Sequence, residues 1–166
     1  KQVQILDGFT GTGNFIVNLM RAIPRAALSH KYKEELHCNE VMLLPYYVAS
    51  MNIEHAYWEA IGAYEPFEGI CRVDTFETAE GSQHELGFMN EANSKRVVRQ
   101  KKAPIFVCIG NPPYNAWQVN ENDNNRNRKY PVMDKRVRDT YGDDSVAQNK
   151  NSLADPYIKA IRWASD

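Results

Sequence analysis

The sequence predicts an α/β protein built on a mostly parallel, doubly wound sheet, and three observations predict it. Short, β-branched-rich apolar runs alternate with segments of helical period, the pattern of successive βαβ units. The first run passes through a glycine-rich turn straight into a helix. Four successive runs end in a polar residue, Asp7, Glu40, Asp74 and Asn111, and in a parallel sheet those ends share one edge, where ligands bind.

Residues 3–7 read as the first strand, residues 8–13 as the turn and residues 14–23 as a helix. Phe15, Ile16, Leu19, Met20 and Ile23 fall on one helical face that should cover the sheet, and Pro24 closes the helix. Gly11 and Gly13 let the backbone approach a ligand closely. A phosphate-binding loop fails on residues, because Asn14-Phe15 follow the last glycine where Lys-Ser/Thr is needed. The dinucleotide pattern also lacks its third glycine. The second strand, residues 36–39, ends in Glu40, which sits where a ribose diol would lie; a solvated acid at a helix start is the alternative. A helix over 43–59 follows, with Leu44, Val48 and Met51 on one face and Pro45 tolerable in its first turn. Residues 69–73 form the third strand and end in Asp74-Thr75-Phe76, where Asp74 is a ligand group or a helix N-cap. Residues 77–103 are polar, with a helix near 91–100.

The fourth strand is Ile105-Phe106-Val107-Cys108-Ile109, an apolar run that reads as buried on both faces. Gly110-Asn111-Pro112-Pro113-Tyr114 breaks it abruptly. Two prolines remove two backbone donors and leave carbonyl acceptors beside the Asn111 amide, with the Tyr114 ring close in sequence. Such a group suits a planar substrate carrying an NH2, whose protons go to the amide and a carbonyl while the ring stacks on its face. A proline turn with a capping Asn and a packed Tyr is the plain alternative. Beyond it, residues 116–152 are rich in Asn, Asp, Arg and Lys. A helix fits residues 131–141, with Pro131 in its first turn and Lys135, Arg136 and Arg138 exposed to meet phosphates; a solvated loop is the alternative. A last helix over 155–164, with Tyr157, Ile161 and Ala164 on one face, should pack on the sheet.

Taken together, Asp7-Gly8-Phe9-Thr10-Gly11-Thr12-Gly13 and Asn111-Pro112-Pro113-Tyr114 resemble the two motifs of class I, S-adenosylmethionine-dependent amino-methyltransferases. Their order is that of the γ group of N6-adenine DNA methyltransferases. The chain departs from that family at Gly8, where a proline is usual, which loosens the turn. More narrowly, the run from Leu36 to His55 and the run Asn120–Asn125 through Tyr130 resemble the methyltransferase part of single-polypeptide Type I restriction–modification enzymes. The resemblance implies a Rossmann-like core binding S-adenosyl-L-methionine. In it Asp7 takes the donor's amine and the backbone at Thr10, Gly11 and Gly13 its carboxylate. Glu40 takes the ribose, Val41 packs on the adenine, and Asp74 with the Thr75 backbone takes the adenine edge. It also implies that Asn111 and the Pro112 carbonyl accept the N6 hydrogens of an adenine flipped from DNA, with Pro113 stiffening the turn and Tyr114 stacking on the base.

With 166 residues, 43% hydrophobic and 25% charged, the chain is long enough for one core, and residues 1–166 are expected to be one partial catalytic domain. A net charge of −1 gives no global pull on nucleic acid, so DNA contact needs a local surface or further domains of the parent chain. Cys38, Cys71 and Cys108 are unpaired in spacing, and each is expected in a buried strand, which favours a reducing, cytoplasmic setting. No apolar run reaches the length of a membrane span, and His30, His37, His55 and His84 show no metal-ligand spacing. The chain stops inside a helix that should feed another strand, so truncation on the C-terminal side is expected.

The expected architecture is four mostly parallel strands in the order 3-2-1-4. The expected function is methyl transfer to adenine N6 within a restriction–modification enzyme. Two alternatives stand beside it: a methyltransferase acting on a protein glutamine amide or an RNA base, and a non-catalytic nucleotide-binding module.

Overall fold

A computed structural model describes residues 3–81, 91–113, 129–146 and 151–166. They fall into two compact units, one of residues 1–75 and 85–111, the other of residues 76–84 and 112–166.

The first unit contains the sheet. Strands β1 (Gln4–Asp7), β2 (Leu36–Glu40), β3 (Ile70–Arg72) and β4 (Ile105–Ile109) lie in the order β3-β2-β1-β4, and every pairing is parallel. This is the expected 3-2-1-4 order. Parallel neighbours need crossover connections, and helices supply them. Helices α1 (Asn14–Ala22) and α2 (Arg25–His30), with a π-helical turn over Lys31–Glu35, join β1 to β2; α3 (Leu43–Ile61) joins β2 to β3. Helix α4 (Thr75–Ala79) starts directly after β3, and α5 (Glu91–Lys102) precedes β4.

One face of the sheet makes the core. Ile5, Leu36, Cys38 and Ile70 pack against Ile16, Met20, Leu28, Ala49, Ile53 and Tyr57. The Tyr32 ring stacks on Tyr57 at 3.9 Å between centroids, and its hydroxyl donates to the Glu65 carbonyl at 2.7 Å. At the outer edge of the sheet the Asn93 amide takes the place of a strand. It accepts from the Arg72 N–H at 2.8 Å and donates to the Arg72 carbonyl at 3.1 Å, so the groups facing away from β2 are not left bare.

Three expectations about packing need correction. In α1, Ile16 and Met20 are buried as expected, but Phe15 is exposed. In α3 the sheet-facing side is Ala49, Ile53 and Tyr57, while Leu44 and Met51 are 74% and 70% exposed. The cause is a close crossing: Gly13 has φ 87, and a Cβ there would lie 3.3 Å from Ala49 Cα and from Ile53 Cγ1. Only the side of α3 carrying the small Ala49 can come so near. In β4 the alternate residues face solvent, with Phe106 82% exposed and Cys108 exposed as well. Only Val107 and Ile109 turn toward the core. The register shifts between Gln4 and Ile5, which pair with Ile105 and Val107, and this leaves Phe106 as the extra residue of a bulge.

In the second unit, α6 (Pro131–Val137) runs on as a π-helical turn to Gly142 and packs against α7 (Pro156–Ser165). Both Glu80 carboxylate oxygens accept first-turn N–H groups of α6, from Val132 and Met133, each at 2.9 Å, and Asp155 caps α7 by accepting from the Tyr157 N–H at 2.7 Å. The expected packing face of α7 is corrected too. Tyr157 and Ile161 are exposed, while Ala160 and Lys159 are buried, because Lys159 reaches Asp134 at 2.7 Å and fixes that side against α6. Among the described residues no helix is long and apolar enough to cross a membrane.

Ile53 is fully buried in the first unit's core. Ile53→Ala is expected to cost about 2–5 kcal/mol of that unit's stability, read as a lowered urea midpoint at an unchanged slope.

Candidate active site

The turn after β1 is held by groups from elsewhere in the first unit. Asp7 Oδ1 accepts from the Phe9 N–H at 3.1 Å, and the Thr10 hydroxyl donates to the Asp7 carbonyl at 3.0 Å. The Thr10 N–H donates to the Asn39 carbonyl at 3.0 Å, which ties the turn to β2. Glu40 accepts from the Gly11 N–H at 2.8 Å through one oxygen and from the Met42 N–H at 2.7 Å through the other. Gly13 donates to the Thr10 carbonyl at 2.9 Å, and Asn52 of α3 donates to the Thr12 carbonyl at 2.9 Å.

All the expected donor residues therefore gather at the carboxyl ends of β1, β2 and β3. Asp7, Thr10, Glu40, Asp74 and Thr75 are buried, Gly13 lies under α3, and Val41 is half-buried in the connection from β2. Asn111 is exposed, two residues beyond the β4 position that pairs with Asp7. The two strand ends touch at Gly110, whose φ is 151, and a Cβ there would come within 2.9 Å of Asp7 Oδ1. Pro112 is half-buried and Pro113 exposed; Tyr114 lies outside the described residues.

Asp7 is the unusual acid of the group. It is 0% exposed, and its Oδ2 is buried with no hydrogen-bond partner. Burial pushes its carboxyl up from 3.8 to about 6, opposed by the Phe9 N–H and reinforced by the neighbouring Glu40 charge. Burial, with Asp7 nearby, also pushes the Cys38 thiol well up, so Cys38 stays a protonated core group and not a nucleophile. His37 hydrogen bonds Gln4 Oε1 at 2.7 Å, and burial lowers it to about 4, which keeps it neutral.

An orphaned buried carboxylate oxygen fits an ammonium, since an uncompensated acceptor in the interior is costly and a cation repays it. Glu40 spends two of about four lone-pair sites on backbone N–H groups, which leaves capacity for further donors. Three acids on one edge suit a ligand rich in donors, and S-adenosylmethionine carries an amine, a diol and an exocyclic NH2.

The sequence did not reveal Asn39, Asn52 or the Thr75 hydroxyl as parts of this site. Asn39 gave one signal, a polar residue inside a buried strand. Asn52 gave none, because its carbonyl partner is set by the fold. Of the basic residues proposed to meet phosphates, Lys135 pairs with Asp139, Arg136 with Asp166 at 2.6 Å, and Arg138 lies 4.0 Å from Asp139. Each has an acid within 4.0 Å, but Asp139 serves both Lys135 and Arg138, and Asp166 also serves Arg162.

The chain matches solved structures over nearly its whole length. It shares 49% identity and a TM-score of 0.91 with a DrdV–DNA complex solved by cryoEM, covering 100% of this chain and 16% of that one. It shares 42% identity and a TM-score of 0.90 with a nuclease-deletion mutant of the Type ISP restriction–modification enzyme LlaGI in complex with a DNA substrate mimic, covering 99% and 14%. With the ATP-dependent Type ISP restriction–modification enzyme LlaBIII bound to DNA the values are 42% and 0.88, covering 100% and 12%. By fold and sequence this chain resembles a segment of Type ISP restriction–modification enzymes. It spans 12–16% of the length of the three chains it matches. No family model matches the chain, and no curated protein does.

The raised Asp7 carboxyl has a sign that can be checked. The folded state holds this proton more tightly than the unfolded chain, so the stabilisation is full below about pH 4 and is lost as pH rises through about 6. Asp7→Asn is expected to remove that loss, leaving the variant more stable than wild type at pH 7.5, as urea unfolding at pH 4 and 7.5 would show.

Proposed function

We propose that this chain is the donor-binding and target-binding part of a DNA adenine-N6 methyltransferase within a larger restriction–modification enzyme. One observation carries the reading: of four adjacent parallel strands two end in Asp7 and Glu40 and two are followed within two residues by Asp74 and Asn111, and Asp7 keeps a buried, unpartnered oxygen. The similarity to three DNA-bound structures, two of them of restriction–modification enzymes, supports the polymer and the larger context. The order of the two sequence motifs supports the reaction.

On this reading Asp7 holds the donor's ammonium and the turn from Thr10 to Gly13 flanks its methionine end, the N–H groups of Thr10, Gly11 and Gly13 being already bonded to the Asn39 carbonyl, Glu40 and the Thr10 carbonyl. Glu40 accepts from the ribose hydroxyls, Val41 packs on the adenine face, and Asp74 with the Thr75 backbone reads the adenine edge. S-adenosylmethionine, when bound, would supply an electrophilic methyl: an N6–CH3 bond would form on the flipped adenine as the S–CH3 bond breaks, with S-adenosylhomocysteine as the leaving group and one N6 proton passing to solvent. Asn111 and the Pro112 carbonyl accept the two N6 hydrogens, favouring a more tetrahedral nitrogen whose lone pair points at the methyl. Pro113 fixes the turn, and Tyr114 stacks on the base to offset the cost of unstacking it. The rest of the parent protein supplies sequence recognition and further domains.

The test is transfer of labelled methyl from S-adenosylmethionine by the full-length parent protein, offered unmethylated DNA, RNA and protein extract. The expected product is N6-methyladenine in DNA. Asn111→Ala is expected to cut transfer at least about a hundredfold while donor affinity stays within about twofold. Label in RNA or protein would move the substrate class, and no label anywhere would leave a nucleotide-binding module. Asp7 must be ionised to hold an ammonium, so donor affinity is expected to fall as pH drops below about 6. Calorimetry at pH 5 and 7.5 checks this, with Asp7→Asn weak at both.

A further inference from the structure

Beneath the glycine turn runs a hydrogen-bonded chain that the proposed chemistry does not use. The Gly8 carbonyl can only accept, so the Thr75 hydroxyl donates to it, at 2.5 Å. The Thr75 oxygen is then left to accept from Asn39 Nδ2, at 3.1 Å. Gly8 thus fixes the direction of both bonds. Asn39 Oδ1 remains, buried without a partner in the structure, a cost that an apolar residue at position 39 would not carry. Asn39 and Thr75 are 2% and 3% exposed.

The chain joins two parts of one site. Thr75 follows Asp74 at the end of β3, on the side assigned to the donor's adenine, and Gly8 opens the turn assigned to the donor's methionine end. We propose that Asn39 and Thr75 are positioning residues that clamp the Gly8 carbonyl and so hold the methionine side of the donor site in register with its adenine side. The clamp rests on the donor reading above and deepens it. It acts on the turn before any ligand arrives, so preorganisation of that turn should be visible without one.

The experiment uses the full-length parent protein with Thr75→Val, which keeps the side chain's shape and removes the hydroxyl, and Thr75→Ser, which restores it. Two ligands are titrated: S-adenosylhomocysteine, which spans both sides, and 5′-methylthioadenosine, which lacks the amino-acid end. Amide hydrogen exchange is followed in the peptide covering the glycine turn and in peptides from β2 and α3. In Thr75→Val the affinity for S-adenosylhomocysteine is expected to fall about three- to tenfold and that for 5′-methylthioadenosine to stay within about twofold. Exchange is expected to quicken in the turn alone, and Thr75→Ser is expected to recover both properties. Asn39→Ala, which leaves the Thr75–Gly8 bond without its support, is expected to give the same pattern at smaller amplitude, and it stands in if Thr75→Val does not fold. Equal weakening of both ligands, exchange quickened throughout β2 and α3, or an unchanged turn would each overturn the clamp. If the wild-type protein binds neither ligand, the donor reading falls, and exchange in the turn still decides whether Thr75 holds it.

Discussion

A run such as Gly8 to Gly13 has few side chains with which to hold itself, so its shape depends on what bonds to it. Here β1 supplies the Asp7 carboxylate and carbonyl, β2 supplies the Asn39 carbonyl and the Glu40 carboxylate, α3 supplies Asn52, and Thr75 comes from the start of α4. Each anchor exists only if parallel pairing brings the strand ends level. The packing beneath the turn is equally demanding, because α1 and α3 meet at Gly13 and Ala49 with no space for another methyl. The sheet, the helix crossing and the turn therefore stand together.

The electrostatics follow from the same arrangement. Burial at the strand end raises the cost of ionising Asp7, and the Glu40 charge on the neighbouring strand adds to it. Glu40 accepts two backbone N–H groups. A fold optimised for stability alone would place a neutral residue at position 7. A buried acid with an idle oxygen is less stable than a neutral residue there would be, a pattern that clusters at functional sites.

Much of this was legible in the sequence. The four strands, their order and their polar ends could be read because apolar runs of strand length stop at glycine, proline or acid signals. What could not be read depended on three-dimensional neighbours. Helix α3 is apolar on more than one side, so periodicity offered Leu44 and Met51 as readily as Ala49 and Ile53, and only the close approach of Gly13 chose between them. An unbroken apolar run implied that β4 is covered on both faces, yet Phe106 and Cys108 face solvent. The segment Arg25–Glu35 carries charge without clear period, which hid α2 and its π-helical turn. Asn39 and Thr75 bond across positions far apart in the chain, and no spacing rule connects them.

The contact at Gly110 ties two parts of the site that are distant in sequence. Asp7 leans into the space where a side chain at position 110 would stand, so a residue larger than glycine there would displace the carboxylate that ends β1. Neither position can drift without the other, and across natural variants the pair should behave as one inherited character. Redesign of the carboxyl end of β4 has to begin at β1, with the size of the residue at position 7.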